Sequence, residues 1–541
     1  MQQRATIPFV ATDTGDEVRT VGVIDIGSSS IRMAIAQITP KGEIRYLDNL
    51  HQAVPLGTDT FTIGGIRRET IEECVGVLSR FKRVLQEYGI TESHSIHAIA
   101  TSAVREAQNQ DVFLDRVFIA TGIEVEAIDE AEVNRLTFLV AQPLLAVTPA
   151  LRKHPVLIVE VGAGSTELLV IEKDITTFSE TYRLGALRMH EMLEAANAPS
   201  MRMRKLMQSS IQRTIEQMIH SVPVVGKVEM VVLGGDARFA VLQILGEKAS
   251  GLLSSGEVMR LAVDKLAALA DEITDLSTDE LLQKYHMPVT DTEALGPALM
   301  TLAMMARAFG IATVHVSGIT IRDGLLAEMA SESIWTEKFE QQIIQSALDR
   351  GRKFGFDEPH GAHVADLSMQ LFDQTTAIHG LGSKHRLLLR VAALLHEIGQ
   401  QVSTRSHHKH SMYLIKHSEL FGLSSREIGL IALVARYHRR APPRPIHEGY
   451  ATLDRESRIV VCKLAALLRT ADALDRAHQQ HIRRVESHVA DRRLIITTPD
   501  AHDLTMERLA AKEKGSLFEQ VYGLSVEFRS KATLDGDEQE P

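Results

Sequence analysis

The feature that most constrains how this chain can fold is a repeated unit: an apolar strand ending on an acidic residue, a small-residue turn, and a second apolar strand. Its first copy is VGVIDIGSSSIRMAIAQI over Val21–Ile38, with the turn Asp25-Ile26-Gly27-Ser28-Ser29-Ser30. Its second lies in HPVLIVEVGAGSTELLVIEK, with the turn Glu160-Val161-Gly162-Ala163-Gly164-Ser165-Thr166. Recurrence of one supersecondary unit predicts two halves built alike. A third turn, Gly234-Gly235-Asp236 in EMVVLGGDARF, belongs with the second copy. Between the copies, Ile71, Val75, Leu78, Phe81, Val84 and Leu85 mark one helical face, and SIHAIATSAV reads as a strand feeding another helix. Strands alternating with helices predict an α/β fold.

The turns also carry chemistry. Glycine lets backbone amides approach an oxyanion, hydroxyls add donors, and the strand-terminal acid can hold a divalent cation or position a water. A single Gly/Ser turn usually does no more than reverse the chain, whereas two in matching repeats point to a phosphate site.

From Phe339 to about His478 the apolar spacing becomes helical, as in Leu387, Leu388, Val391, Leu394 and Leu395. Eleven of the 23 histidines fall between His360 and His447, too dense for a solvated face. After Ile482, RRLIITTP and GLSVEFRS read as strands around a charged helix, a small α+β cap, and the DGDEQEP tail is expected to fray. At about 150 residues per domain, three to four domains are expected. The pattern divides the 541 residues into 1–148, 149–332, 333–480 and 481–541.

Charge and cysteine content narrow the setting. With 59 Lys+Arg against 70 Asp+Glu the net charge is −11, so nothing draws the whole chain to nucleic acid and any polyanion must be held locally. Cys74 and Cys462 are too few for a disulfide scaffold or a cysteine-rich zinc site. No apolar run approaches the ~20 residues of a membrane span. The N-terminal segment lacks a leader pattern, and a cytoplasmic protein with no membrane partner is expected.

The motifs IDIGSSSIRMAIAQI, IATSAVREAQN, IEVEAID, EVGAGSTELLVI, YRLGALRM, VVLGGDARF and VSGITIRDGLL stand in the order and spacing of the exopolyphosphatase and guanosine pentaphosphate phosphohydrolase (Ppx/GppA) family, which the chain resembles over nearly its whole length. The resemblance implies two actin-like, ribonuclease H-like lobes and release of terminal orthophosphate from inorganic polyphosphate or pppGpp. It also implies dependence on Mg²⁺ or Mn²⁺ and a homodimer. By position it matches Gly27, Ser28 and Ser30 to the first phosphate loop and Gly162, Gly164, Ser165 and Thr166 to the second, and Asp25, Ser29, Ala163, Gly234 and Gly235 of the same turns are further candidate phosphate contacts. Arg105 matches the arginine expected to meet phosphate, and Glu160 and Glu167 match the acids bounding the second loop.

Three departures stand out. Ser29 replaces the family's Asn, and Glu160 replaces an Asp. Where the family carries its water-activating Glu, the ungapped register IDEAEVNR places Val133, with Glu132 one residue early. Adjacent residues point differently on any regular element, so either Glu132 or Glu160 takes over that role or turnover is slowed.

The helical segment resembles the HD superfamily. Metal-assisted phosphohydrolysis needs imidazoles and carboxylates on one ion, and His360, His396-Glu397 and Asp472 stand in that order, Glu397 replacing the defining Asp. This implies a second divalent-metal site, and His407, His408, His410 and His438 are further candidates. Arg436, Arg439, Arg440, Arg444, Lys409 and Lys416 form either a basic channel or a solvated loop around APPRPIH. Three functions follow: an exopolyphosphatase or pppGpp 5'-phosphohydrolase, a polyphosphate- or alarmone-binding regulator with impaired turnover, or a phosphohydrolase acting through the HD-like segment.

Overall fold

The structure, a computed structural model, describes residues 18–195, 200–224, 226–254, 256–287, 289–330, 337–418, 420–439, 441–499 and 503–530. Arg440, the 332/333 boundary and the acidic tail lie outside them. The chain divides into two compact units, Met1–Ile334 and Trp335–Pro541.

Among the described residues the first unit holds two sheets. Strands β1 (Arg19–Ile26), β2 (Ser30–Ile38), β3 (Ile44–Ala53), β4 (Ile96–Ala100) and β5 (Val125–Ala127) form one, in the order β3-β2-β1-β4-β5. Strands β6 (Val156–Val161), β7 (Thr166–Glu172), β8 (Ile175–Tyr182), β9 (Glu229–Leu233), β10 (Met259–Ala262) and β11 (Thr313–Val316) form the other, in the order β10-β11-β9-β6-β7-β8. Leaving out β10, the orders match strand for strand, with β1 parallel to β4 and β6 parallel to β9. The repeat seen in two hairpins therefore extends to whole sheets.

The side-chain alternation of β1 shows why this sheet is covered on both faces. Ile24 and Ile26 join a core with Cys74, Leu78 and Phe81 of the helix Arg68–Glu87, while Val21 and Val23 join Leu136, Leu325 and Leu326 from the helices Glu130–Val147 and Ile321–Ala330. At about 25 cal/mol per Å² of buried apolar surface, two such cores hold the strand ends in place without a disulfide. The carboxyl ends of β1, β4, β6 and β9 carry the loops with Gly27, Ser102, Gly162 and Gly234, the usual place for a ligand in open α/β sheets.

In the second unit, helices including Glu358–Gln374, Ser383–Leu395, Ser425–Arg436 and Arg455–Leu474 pack through Leu371, Leu388, Leu395, Ile431, Leu464 and Leu468, all buried. The helix Ser425–Arg436 starts on a full capping box, Ser424 with Glu427. Strands β12 (Glu486–Ala490), β13 (Arg493–Thr498) and β14 (Ser525–Ser530) form a separate sheet, with the helices Thr505–Lys514 and Ser516–Tyr522 between β13 and β14.

Candidate functional site

The two hairpin loops are closed by the same bond. The Gly27 amide donates to Ser30 O at 2.9 Å and the Gly162 amide to Ser165 O at 2.8 Å. Those two glycine amides are spent on the turn, and the residues between present themselves to one cleft. Its lining includes Asp25, Gly27, Ser28, Ser29, Ser30, Arg105, Glu160, Gly162, Ala163, Gly164, Ser165, Glu167, Gly234 and Gly235. Ser102, at the end of β4, stands between the loops: its hydroxyl lies 3.3 Å from Ser28 Oγ, and a Cβ on Gly164 would come within 2.4 Å of it. Gly164 is glycine because Ser102 and Phe61 leave no room.

The YRLGALRM segment braces the second loop from behind. The Ala186 amide donates to Gly162 O at 2.9 Å and the Arg188 amide to Ala163 O at 3.0 Å, while Arg188 Nε donates to Gly164 O at 2.8 Å. The same guanidinium pairs with Glu106 and lies 4.2 Å over the Phe61 ring. Gly234, at φ 101°, occupies the left-handed region that favours glycine and opens the helix Gly235–Leu245 toward the cleft.

Cross-strand register decides the electrostatics. In the first hairpin Asp25 stands opposite Arg32; in the second, Glu160 stands opposite Glu167. Like charges in opposite positions oppose ionisation. Burial first, and the Glu160 charge second, push the Glu167 carboxyl up to about 7, although it accepts from Ser165 Oγ at 2.5 Å and faces Arg105. Burial and the Asp291 carboxylate push Asp236 up to about 7 as well. Asp25 and Glu160 are raised by burial against the pull of Arg32 and of Arg322 or Arg238. Carboxyls titrating near neutrality beside arginines suit proton transfer at a phosphate. Asp25, Glu160, Asp236 and Asp291 line one space and supply hard oxygen donors, the set that Mg²⁺ or Mn²⁺ prefers.

Two expected residues are placed elsewhere. Val133, not Glu132, lines the cleft. Glu132 accepts from Arg135 Nε at 2.9 Å, and the same arginine reaches Glu328 at 2.9 Å. Consecutive residues on the helix Glu130–Val147 differ by about 100° in direction, so the one-residue offset takes the Glu132 carboxylate out of the cleft. Thr166 is fully buried and its hydroxyl donates to Leu184 O, which removes it from the phosphate contacts. Arg105 does line the cleft, while Nη1 donates to Ile128 O at 3.0 Å. Sequence reasoning missed Arg32, Ser102 and Asp291; for Arg32 the signal was present, since it occupies in the first repeat the place of Glu167 in the second.

In the second unit His360, His396 and Asp472 converge, with His360 Nε2 3.9 Å and His396 Nε2 4.0 Å from Asp472 Oδ1 and 3.8 Å between His360 Nε2 and Glu397 Oε2. Burial holds the His396 and His438 imidazoles below their ordinary range. Burial works against ionising Asp472, but the Lys514 ammonium and the neighbouring imidazoles outweigh it and hold the carboxyl well below the usual range. His408 lies edge-on to His407, at 6.2 Å between ring centroids, and is pushed down to about 4 by burial and Arg439.

Two family models match the chain: the Ppx/GppA phosphatase family over residues 34–333, and domain III of the Ppx/GppA phosphatases over residues 344–512. The guanosine-5'-triphosphate,3'-diphosphate pyrophosphatase of Photobacterium profundum is 23% identical over 493 residues, covering 88% of this chain and 91% of that protein. The protein of the same name from Vibrio vulnificus is 23% identical over 417 residues, covering 77% of this chain and 80% of its own. An exopolyphosphatase structure from Cytophaga hutchinsonii shares the fold at TM-score 0.51 and 21% identity, over 58% of this chain and 98% of that one. Matched loops on duplicated sheets, and a family model spanning more than half of its length, place this chain in the Ppx/GppA phosphatase family.

Proposed function

We propose that the first unit hydrolyses the terminal phosphoanhydride of inorganic polyphosphate or of pppGpp, releasing orthophosphate. The observation that carries this is the cleft itself: two loops closed by the same bond face one space that also holds Arg32, Arg105 and two carboxyls titrating near neutrality. The names of the Photobacterium and Vibrio relatives support a guanosine substrate, and that of the Cytophaga structure supports polyphosphate. Both present the same terminal group to the loops.

In this reading Ser28, Ser30 and the loop backbone hold the terminal phosphate, and Arg105 and Arg32 balance its charge. A water attacks the terminal phosphorus in line with the bridging oxygen; its O–P bond forms as the bridging P–O bond breaks, and its proton passes to Glu167, with Asp236 as the other candidate acceptor. Asp25 and Glu160 are the donors that would hold Mg²⁺ or Mn²⁺, which would supply neutralisation of charge on the phosphate oxygens. Val133 at the position where the family carries a Glu supports a second reading, in which the cleft binds its polyanion and turns it over slowly. A homodimer and an HD-like nature for the helical unit belong to this proposal too, the latter supported by the convergence of His360, His396, Glu397 and Asp472.

The test is phosphate release from long-chain polyphosphate and from pppGpp, side by side, with Mg²⁺ or Mn²⁺, for wild type, Glu167→Gln and Asp236→Asn. Turnover by the wild type, lost by about 10²-fold or more in one variant, identifies the proton acceptor. Tight binding of either substrate with no release selects the binding reading; neither binding nor release refutes both.

A further inference from the structure

Apart from its histidine cluster, the second unit holds a cavity of about 340 Å³ between the helix Arg455–Leu474, the helix Ser516–Tyr522 and Tyr450. That size is at the small end of ligand pockets, which run from roughly 300 to 1,000 Å³. Neither the clustered histidines nor the phosphate loops line it. The longer helix contributes Arg455, Arg458, Ile459, Cys462 and Lys463, the i, i+3, i+4, i+7, i+8 spacing of a single helical face. The Tyr522 hydroxyl donates to Lys463 O at 3.0 Å and ties the shorter helix to this face.

The charges around the cavity are of one sign. Arg455, Arg458 and Lys463 line it and no carboxylate does. Among the described residues none of these three cations has an acidic partner: Arg458 Nη2 donates to Ala451 O at 2.7 Å, Lys463 Nζ donates to His379 O, and Arg455 is exposed. Asp454, the acid beside Arg455, is spent on the Ser457 amide and on Arg426. Arg458 Nε is buried with no hydrogen-bond partner, and a charged donor left unmet beside a cavity calls for an oxyanion. The Tyr450 hydroxyl lies 3.2 Å from Cys462 Sγ; burial first, and the sulfur second, hold it above its ordinary range, so it stays a donor. Ile459, Val521 and the Tyr450 ring make the rest of the wall apolar.

We propose that this cavity binds a small phosphate monoester with an apolar or planar body. Two guanidiniums and an ammonium suit a dianion better than a single carboxylate, and the planar fork of Arg458 supplies the donor that the buried Nε lacks a partner for. Ile459, Val521 and the Tyr450 ring cover the body of the ligand, which inorganic phosphate does not have. A surplus of unpaired cations at one hollow runs against the net charge of −11 and is a local arrangement, not a reflection of composition. The inference rests on the second unit alone and does not depend on what the first unit hydrolyses.

The chain itself supplies the readout. Of its two cysteines Cys74 is fully buried and Cys462 lines the cavity, so alkylation of the folded full-length protein by iodoacetamide, located by peptide mass, follows occupancy at Cys462. The probe is phenyl phosphate, set beside phenol, inorganic phosphate and long-chain polyphosphate. Phenyl phosphate at millimolar concentration should slow Cys462 alkylation about tenfold, and the other three should leave it within about twofold. The concentration that half-protects Cys462 should rise about tenfold or more in Arg458→Gln, the loss of a charge-assisted bond. Arg455→Gln, at an exposed position where folding is not at stake, should raise it about threefold and keep the wild-type Tm. Alkylation undiminished by phenyl phosphate, equal protection by phenol or inorganic phosphate, protection by polyphosphate in its place, or a half-protecting concentration unmoved in both variants overturns the assignment.

Discussion

Glu167 and Arg32 occupy equivalent places in the two hairpins, and that single difference sets the acid–base character of the cleft. With Glu167 titrating at about 7, the rate of phosphate release should climb through that pH as its carboxylate becomes able to accept a proton. Glu167→Gln should remove this limb and about 10² to 10⁴ of the rate; a variant with an unchanged pH profile would move the role to Asp236. The same shift has a stability consequence. The folded carboxyl keeps its proton up to about 7 while the ordinary value is 4.5, so the stabilisation is complete below 4.5 and is lost as pH rises to 7. Metal-free protein should therefore lose Tm between those values, with Glu167 accounting for on the order of 3 kcal/mol of stability, and Glu167→Gln should reduce the slope to the share that Asp236 contributes. Val133 lines the cleft where the family's acid would reach in, and Val133→Glu should raise phosphate release about tenfold or more. A lower rate would mean that an apolar wall is needed there. Residue types were readable from the chain, but which of Glu132 and Val133 faces inward was not, because that depends on the phase of one helix against two sheets.

Among the elements, the second loop depends most on a neighbour distant in sequence. A Cβ on Gly185 would fall 2.2 Å from Gly164 C and 2.4 Å from Ala163 O, backbone atoms that cannot rotate away. Gly185→Ala should displace the loop, cost about 1–3 kcal/mol by overpacking, and lower turnover more than it lowers Tm would suggest. Thermal unfolding beside kcat checks this, and a variant with wild-type kcat would show that the loop tolerates the shift. The strands β1, β2, β6 and β7 were legible because both faces are buried and the apolar runs are continuous. The strands β3, β8, β10 and β12 were not, since their exposed and polar positions alternate without a clean period and pairing with a neighbour is what makes them strands. The expected single helix in the C-terminal part is a pair, Thr505–Lys514 and Ser516–Tyr522, joined at Gly515.

At the scale of the molecule, the proposed function has an acidic chain of net charge −11 hold a polyanion through a few local arginines, so the interaction should be screened by salt. Raising ionic strength from about 0.05 to 0.5 M, a change from weak to strong screening, should raise KM for polyphosphate several-fold and leave kcat within about twofold. A flat KM would argue that backbone amides, not arginines, supply the binding. By itself the sequence determined the duplication, the two loops with Asp25 and Glu160, the change to a helical unit and the family, because these follow from local periodicity and from residue types at set spacing. The tertiary structure alone decided that Glu167 faces Glu160, that Ser102 and Arg188 hold the loops, that Thr166 is spent on Leu184 O, and that five histidines share one space with Glu397 and Asp472. The physical reason is the same in each case: charge repulsion, hydrogen-bond satisfaction and metal reach act over a few ångströms between residues far apart in the chain, and no local pattern encodes such a distance.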